Sequence, residues 1–559
     1  MSILTLSRRF SRDDGLQRML LALACLLFLL ALVLPLGQIL HTALFDEQGN
    51  FAGLDNLRRY LLTPSLLYSL TNTLTMGLLV TLIVTGLAFI YAYAITRTRM
   101  PCRGLFKVLA MMPVLAPSLL PAISLVYLFG NQGVLRHWLL GESIYGPIGI
   151  VLGLSFWAFP HAVMLLSTAM GATDGRLFEA CRVLRGGPVR AFFQVTLPGI
   201  KYALLSTLMV VFTMVITDFG VPKVIGGQYP VLATDIYKQV VGQQNFAMGA
   251  LISTLLLLPA LLAFIADSWL QRRNKPLIDS RSQPYHPAPN RWRDGLLLGY
   301  CSLIALALLA VIGMAAYASV VQFWPYNLGL TLSHYRFDLI DGWQAYGNSL
   351  RLAGMTALFG TLCIFLIAYL VEKGQGQHGW RKLLHAMAMI PLAVPGLVLG
   401  LAYIFFFNRP DNPLNVLYGG MTLLVVSTVM HFYTVGHLTA ITALKQLPAE
   451  IEAIAASLKI SRFKAMRRVS LPMCLPAVLD VAIYLFVNAM TTVSAVVFLY
   501  GSDTMLASIA VLNLDDSGNI APAAAMAMLI FITALTARLL HLAASHGLLR
   551  LTQSWRHTP

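Results

Sequence analysis

FEACRVLRGGPVRAFFQVTLP, residues 178–198, lies between two long apolar segments and is too polar to cross a bilayer itself. It carries Glu179, Arg182, Arg185 and Arg190 in a helical pattern. A second stretch, AIAASLKISRFKAMRRVSLP, residues 453–472, occupies the same kind of place at an offset of 274 (472 minus 198). There Ile451, Ile454 and Leu458, then Phe463, Met466 and Val469, recur at helical spacing, with Glu452, Lys459, Arg462 and Arg467 between them. Both copies end in Leu-Pro, at Leu197-Pro198 and Leu471-Pro472, where proline suits the first turn of a following helix.

The surroundings of these two stretches are strongly apolar. Of 559 residues 58% are hydrophobic and 11% charged, against about 25% charged in a soluble domain, and the mean hydropathy is +0.73. This is the composition of a polytopic membrane protein. Twelve apolar segments are long enough to span: 19–42, 70–95, 106–130, 147–170, 199–221, 246–270, 296–320, 348–371, 383–407, 415–441, 473–499 and 520–544. Backbone groups in lipid need internal partners, so these are expected to be helices. The apolar run from Met19 follows Arg8, Arg9 and Arg12, has no small-residue cleavage site and reads as a retained span.

A net charge of +16 would suggest nucleic acid in a soluble protein; here it fits basic cytoplasmic loops, and no nucleic-acid partner is expected. With the N-terminus inside, only Arg58, Arg59, Arg136, Lys223, Lys238, Arg336, Arg351 and Arg409 fall outside, so 31 of the 39 basic residues lie inside. Both termini are therefore expected in the cytoplasm. The six cysteines show no CxxC and no regular spacing, so neither a disulfide framework nor a metal site is expected.

The chain repeats itself. TNTL at Thr71 aligns with GNSL at Gly347, placing Asn72 opposite Asn348; AYAI at Ala92 aligns with AYLV at Ala368. MMPVLAP, with Pro113 and Pro117, aligns with MIPLAVP, with Pro391 and Pro395, and LAT at Leu232 with LAS at Leu506. Six spans per half give the halves one orientation and a pseudo-twofold axis along the membrane normal, with a shared pathway between them. The reading divides the chain into a domain of residues 1–271 with its loop at 173–198, a proline-rich cytoplasmic linker 272–294, and a domain of residues 295–559 with its loop at 447–472.

The paired loops resemble the EAA loop of binding-protein-dependent ABC import permeases: Glu-Ala-Ala, a glycine after three intervening residues, and a spacer ending in Leu-Pro. Glu179, Ala180, Cys181, Leu184, Gly186, Leu197 and Pro198 carry the first copy, with Arg185 at the glycine position. Glu452, Ala453, Leu458, Lys459, Leu471 and Pro472 carry the second, with Ala453 at the glutamate position and Lys459 at the glycine position. The resemblance implies an all-α chain of two fused six-helix type I (MetI-like) permease domains in the bacterial inner membrane. It implies that the two loops dock two copies of a cytoplasmic ABC ATPase and that a periplasmic solute-binding protein delivers cargo. Alternating access would follow, driven by ATP and magnesium held on the partner. Among fused permeases the wording, including SFWAFPHAVMLLSTAM from Ser155, looks closest to 2-aminoethylphosphonate permeases, with iron(III) and thiamine permeases related.

The chain has no GxxxxGK[ST] and no Gly-Lys pair, so it is expected to act as a transport subunit, not an enzyme, and to hold no nucleotide or other cofactor itself. Asn72, Thr217, Asp218, Asn348, Asn488 and Thr491 are pathway candidates, with Asp480 and Thr492 beside them; each could equally bridge helices. Pro113, Pro117 and Pro121 sit four apart on the third span, Pro391 and Pro395 repeat the first two, and a fixed kink is the favoured expectation. His161, His431 and His437 are expected to be packing residues. Three alternatives remain: basic interfacial helices lying on anionic lipid, an ion-coupled secondary transporter, or a membrane enzyme. Scarce intramembrane charge pairs argue against the second, and the lack of a clustered catalytic set against the third.

Overall fold

The computed structural model describes residues 12–45, 50–273, 283, 285–337, 341–448, 450–458 and 460–552. Lys459 and most of the linker fall outside the described residues. Among the described residues, six straight helices in the order of the first half and its junction are Asp13–Leu44, Pro64–Arg97, Pro147–Gly171, Pro188–Thr217, Phe246–Gln271 and Arg291–Ala318. Gly342–Glu372, Met421–Lys445 and Ile520–Ser545 complete nine helices long and apolar enough to cross a membrane. Three bent pairs bring the number of candidate spans to 12, one on each apolar segment.

Two bent pairs correct the expectation of single spans at 106–130 and 383–407. Arg103–Leu115 turns by 102° into Leu119–Phe129, and His378–Ala393 by 112° into Gly396–Phe407. The cause is duplicated. The residue before a proline is pushed out of the helical region, and Ala116 before Pro117 and Val394 before Pro395 both have extended backbones (ψ 139° and 116°). These are sharp elbows, well beyond the kink of an ordinary proline helix.

The third bent pair, Arg462–Met473 and Leu475–Thr491, turns by 77° at Cys474. Its counterpart Pro188–Thr217 runs unbroken. Pro198 and Pro472 therefore do not begin new helices, as the Leu-Pro pattern suggested. Each sits two residues past the end of a π-turn, Phe192–Thr196 and Met466–Ser470. Proline lacks the amide hydrogen of a regular turn and its ring crowds the preceding carbonyls; a local i→i+5 turn accommodates it. The amides of Leu197 and Leu471 accordingly bond back five residues, to Phe192 and Met466.

The first span of each half packs on the other half. Asp13–Leu44 runs against the second half's elbow pair, with the Tyr403 hydroxyl donating to the Ala31 carbonyl (2.6 Å) and Phe28 edge-on to Tyr433. Reciprocally, Arg291–Ala318 packs on the first half, and Tyr300 donates to the Leu87 carbonyl (2.8 Å).

Candidate functional site

Both loops lie at one end of the bundle, the end where the basic residues cluster. The first begins with helix Gly175–Val183, whose N-cap Asp174 accepts from the Arg176 amide (3.0 Å). That bond, opposed by desolvation and helped by the Gln283 amide, holds the Asp174 carboxyl below the usual carboxylate range. The helix must then break before Pro188. Arg185 takes the left-handed conformation (φ +54°) at the position where the family pattern has glycine. Gly186 follows against buried Cys181, whose Sγ a Cβ at 186 would meet at 2.5 Å. The bend is therefore present without the expected glycine.

This break turns apolar side chains outward. Val183 is 82% exposed, Leu184 72% and Val189 69%, at a bundle end rich in charge. Glu179, Ala180 and Pro198 are exposed and Leu197 half-buried. The second loop, helix Glu450–Ser457 followed by Arg462–Ala465, repeats the patch with Ile454 (58%), Leu458 (65%) and Ile460 (39%). Leu471 is half-buried and Pro472 exposed. Ala453 lies on the Glu450–Ser457 helix.

A cation at the end of each half's second span grips the loop. Lys373 pairs with Glu452 (3.0 Å) and donates to the Leu447 carbonyl (3.2 Å). Its counterpart Arg97 is buried, donates to the Met170 carbonyl (2.7 Å) and lies over the rings of Phe178 (4.6 Å) and Tyr285 (4.9 Å). Sequence reading missed both; the signal was their shared position five residues after the aligned Ala92 and Ala368. Segments leading into the exchanged first spans complete the grip. Gln283 of the linker bonds Gly175 (2.8 Å) and Asp174 (3.2 Å). Asp14 pairs with Arg462 (2.9 Å), while Asp13 and Gln17 take its amide (2.8 Å) and guanidinium (2.6 Å).

The pathway candidates separate into two groups. The Asn72 amide donates to the Pro230 carbonyl (3.0 Å), and Asn348 to those of Asp503 (2.9 Å) and Met505 (3.1 Å). Next to them, Thr73 and Ser349 accept from the amides of Leu232 (2.9 Å) and Ala507 (2.8 Å). The repeat signatures TNTL/GNSL and LAT/LAS thus meet each other, pinning the short helices Leu232–Tyr237 and Ala507–Asp516. Asp218 is buried and accepts from the Val221 amide (2.9 Å), at the entry of helix Gly220–Ile225. Thr217, Asn488 and Thr491 stay half-buried near the ends of the fifth spans and bond carbonyls of their own helices. Thr492 is buried. His437 is buried, 3.3 Å from His385, and His161 and His431 are half-buried.

At the end opposite the loops the halves meet through Lys223 and Asp516 (2.8 Å), with Lys223 over the Tyr237 ring and Tyr237 facing Phe498. Burial, then Asp516, push the neighbouring Asp515 carboxyl up to about 6, against the pull of Lys223. Beside this contact lies a cleft of about 420 Å³ bounded by Val240, Gln244 and Phe246 of one half and Asn408, Tyr418 and Tyr500 of the other.

Comparison with known proteins fits this arrangement. The family described as binding-protein-dependent transport system inner membrane component matches residues 85–276 and 379–548, once in each half. A Haemophilus influenzae protein named for a ferric transport system permease is 30% identical over 484 residues, covering 83% of this chain and 75% of that one. The ferric transport system permease protein of Actinobacillus pleuropneumoniae is 29% identical over 469 residues (80% and 67%). A second Haemophilus influenzae protein, an Fe(3+)-transport system permease, is 23% identical over 485 residues (86% and 90%).

Proposed function

The chain belongs to the family of binding-protein-dependent transport system inner membrane components, and from that premise we propose that its cargo is iron(III). It is the multi-pass permease subunit of an ABC importer, a transport subunit served by an ATPase and a periplasmic binding protein. The observation that carries the iron reading is that relatives named for ferric transport align along 80–86% of the chain, through both halves. It replaces the 2-aminoethylphosphonate expectation, which no relative described above supports.

In this proposal the loop-bearing end faces the cytoplasm, as the basic residues suggest, and both termini lie there. Two ATPase copies dock, one on the Val183–Leu184 patch and one on the Ile454–Leu458 patch, each a small apolar anchor of the kind that enters a groove. Closing of the ATPase dimer draws the loops together. The continuous helix Pro188–Thr217 carries that movement into the membrane as a lever. The contact of Lys223 with Asp516 then opens toward the binding protein. ATP can bias the pathway only by contacting the two states differently, and the loops supply that contact.

The test is uptake of radiolabelled iron(III) by membranes holding the chain, its ATPase and its binding protein, with 2-aminoethylphosphonate in parallel. ATP-dependent iron uptake is expected. Uptake of the phosphonate instead would overturn the cargo, and uptake driven by an ion gradient without ATP would overturn the importer mechanism. Glu179→Arg is expected to weaken co-purification with the ATPase while membrane insertion stays normal. Undiminished co-purification and coupled ATP hydrolysis in that variant would remove Glu179 from the docking surface.

A further inference from the structure

The fifth span of the second half, Leu475–Thr491, has four distinct faces. Val481 and Leu485 are buried against Gly436 and Gly360 of their own half. Ile483 and Val487 are buried against Leu115 at the other half's elbow and Ala534 of the last span. Two accessible faces remain between these, on opposite sides of the helix. One is apolar: Leu479, Ala482 and Phe486. The other is Asp480, Tyr484, Asn488 and Thr491, spaced four, four and three residues apart, with Asp480 the most exposed. Polar groups on a membrane helix seldom face lipid and commonly mark a watered path.

Every side chain of this face carries an oxygen, and one of them is a carboxylate. Asn488 gives one of its two amide hydrogens to the Tyr484 carbonyl (2.8 Å), leaving its amide oxygen and one N–H. Thr491 donates to the Val487 carbonyl (3.0 Å), leaving its lone pairs outward. Asp480 shares one oxygen with His541 (3.3 Å), leaving the other. The Tyr484 hydroxyl has no hydrogen-bond partner among the described residues, while Phe432 packs edge-on to its ring. Four oxygens with free lone pairs thus run along about 16 Å of helix, at 1.5 Å per residue. The exposed Asp480 carboxylate repels an anion, whereas hard cations take oxygen ligands. The face is also unique to one half, because at the same register the first half has Ser206, Val210, Met214 and Thr217.

We propose that Asp480, Tyr484, Asn488 and Thr491 form an oxygen track that passes a hard, highly charged cation along the second half alone. The track rests on the importer reading and gives its iron cargo a route. The carboxylate supplies the strongest ligand, and the phenol, amide and hydroxyl oxygens step the ion past the end of the helix. Sequential sites of moderate strength admit the ion and still release it.

Two measurements test the track. Terbium(III), a hard trivalent probe excited through tyrosine, is titrated into the purified full-length chain. Tyrosine-sensitised emission is expected to saturate, and to fall at least severalfold in Tyr484→Phe and in Asp480→Asn. Emission unchanged in both variants would overturn the track whatever the cargo is. In membranes with the ATPase and binding protein, Tyr484→Phe and Asn488→Leu are expected to lower iron(III) uptake at least fivefold, with co-purification of the ATPase intact. Met214→Leu in the first half is expected to change neither readout. Uptake lowered equally by Met214→Leu would reduce the track to general packing and overturn it. If terbium binding responds to the variants but the wild-type chain imports no iron, the track stands and the iron reading falls.

Discussion

In the first half Ser118, just past the elbow, fills the space beside Gly220; in the second, Ser494 fills the space beside Gly396. The four positions correspond, Ser118 to Gly396 and Gly220 to Ser494, at offsets of 278 and 274. In each half a Cβ on the glycine would collide with the serine hydroxyl. The contact has survived duplication with its residues exchanged. Where the fifth and sixth spans meet, the carboxylate changes span and takes a different partner. Ser206 bonds Asp267 in one half, and at the same register Asp480 pairs with His541 (3.3 Å) in the other. The loop grips differ again, cation–π and linker on one side, ion pair and N-terminal helix on the other. What the two halves share is a set of distances, and each half meets them with its own chemistry.

The largest effect should come from the exposed patches, where the comparison predicts equal need. Val183→Asp with Leu184→Asp, and separately Leu458→Asp, should each reduce ATP-driven uptake roughly tenfold or more, as loss of a central apolar anchor does. Co-purification with the ATPase reads the docking directly. Near-normal uptake in only one variant would show that a single loop drives transport.

The grips should differ in strength. Arg97→Ala removes a buried guanidinium from two rings and a carbonyl, worth about 3 kcal/mol. Lys373→Ala breaks a partly exposed ion pair, worth about 1 kcal/mol. Thermal unfolding in detergent should rank them in that order. Arg97→Lys should rescue little, because an ammonium cannot lie flat on both rings.

The exchanged serines allow a double-mutant cycle. Gly220→Ser alone puts two hydroxymethyl groups in one slot and should cost about 1–3 kcal/mol. Adding Ser118→Gly transplants the second half's arrangement and should restore stability to within about 0.5 kcal/mol. Additive losses would show that the surroundings, and not the pair, fix which residue stands where.

Much of this was legible in the sequence. Twelve apolar segments, the repeat and the two loops are properties of composition and period, which single residues state directly. The motif pairs also pointed to real contacts, since Asn72 and Asn348 reach the segments leading into the duplicated LAT and LAS helices. Three things were hidden. Elbows of 102° and 112° depend on where the chain goes after each proline, and a proline alone is compatible with a kink or a break. The exchange of first spans is a matter of long-range packing, on which hydropathy is silent. Arg97, Lys373 and the serine–glycine pairs act through partners distant in sequence, so their residue types carried no local signal.

The smallest expected effect concerns Arg185, the sharpest departure from the family pattern. Its backbone is left-handed (φ +54°), a conformation that costs a side-chain-bearing residue about 1–2 kcal/mol. Glycine would relieve that cost but add conformational freedom to the unfolded chain, worth about 0.5–1 kcal/mol. Arg185→Gly should therefore raise stability by about 0–1.5 kcal/mol, the difference of those two terms. Gly186→Ala next door should lower it, because the new methyl meets Cys181. Thermal unfolding gives the signs, and uptake decides what they mean. Unchanged uptake in Arg185→Gly makes the position purely a backbone hinge, interchangeable with the family glycine. A fall in uptake with stability intact would give the arginine side chain a contact of its own with the ATPase, separating the first loop from the second by function as well as by chemistry.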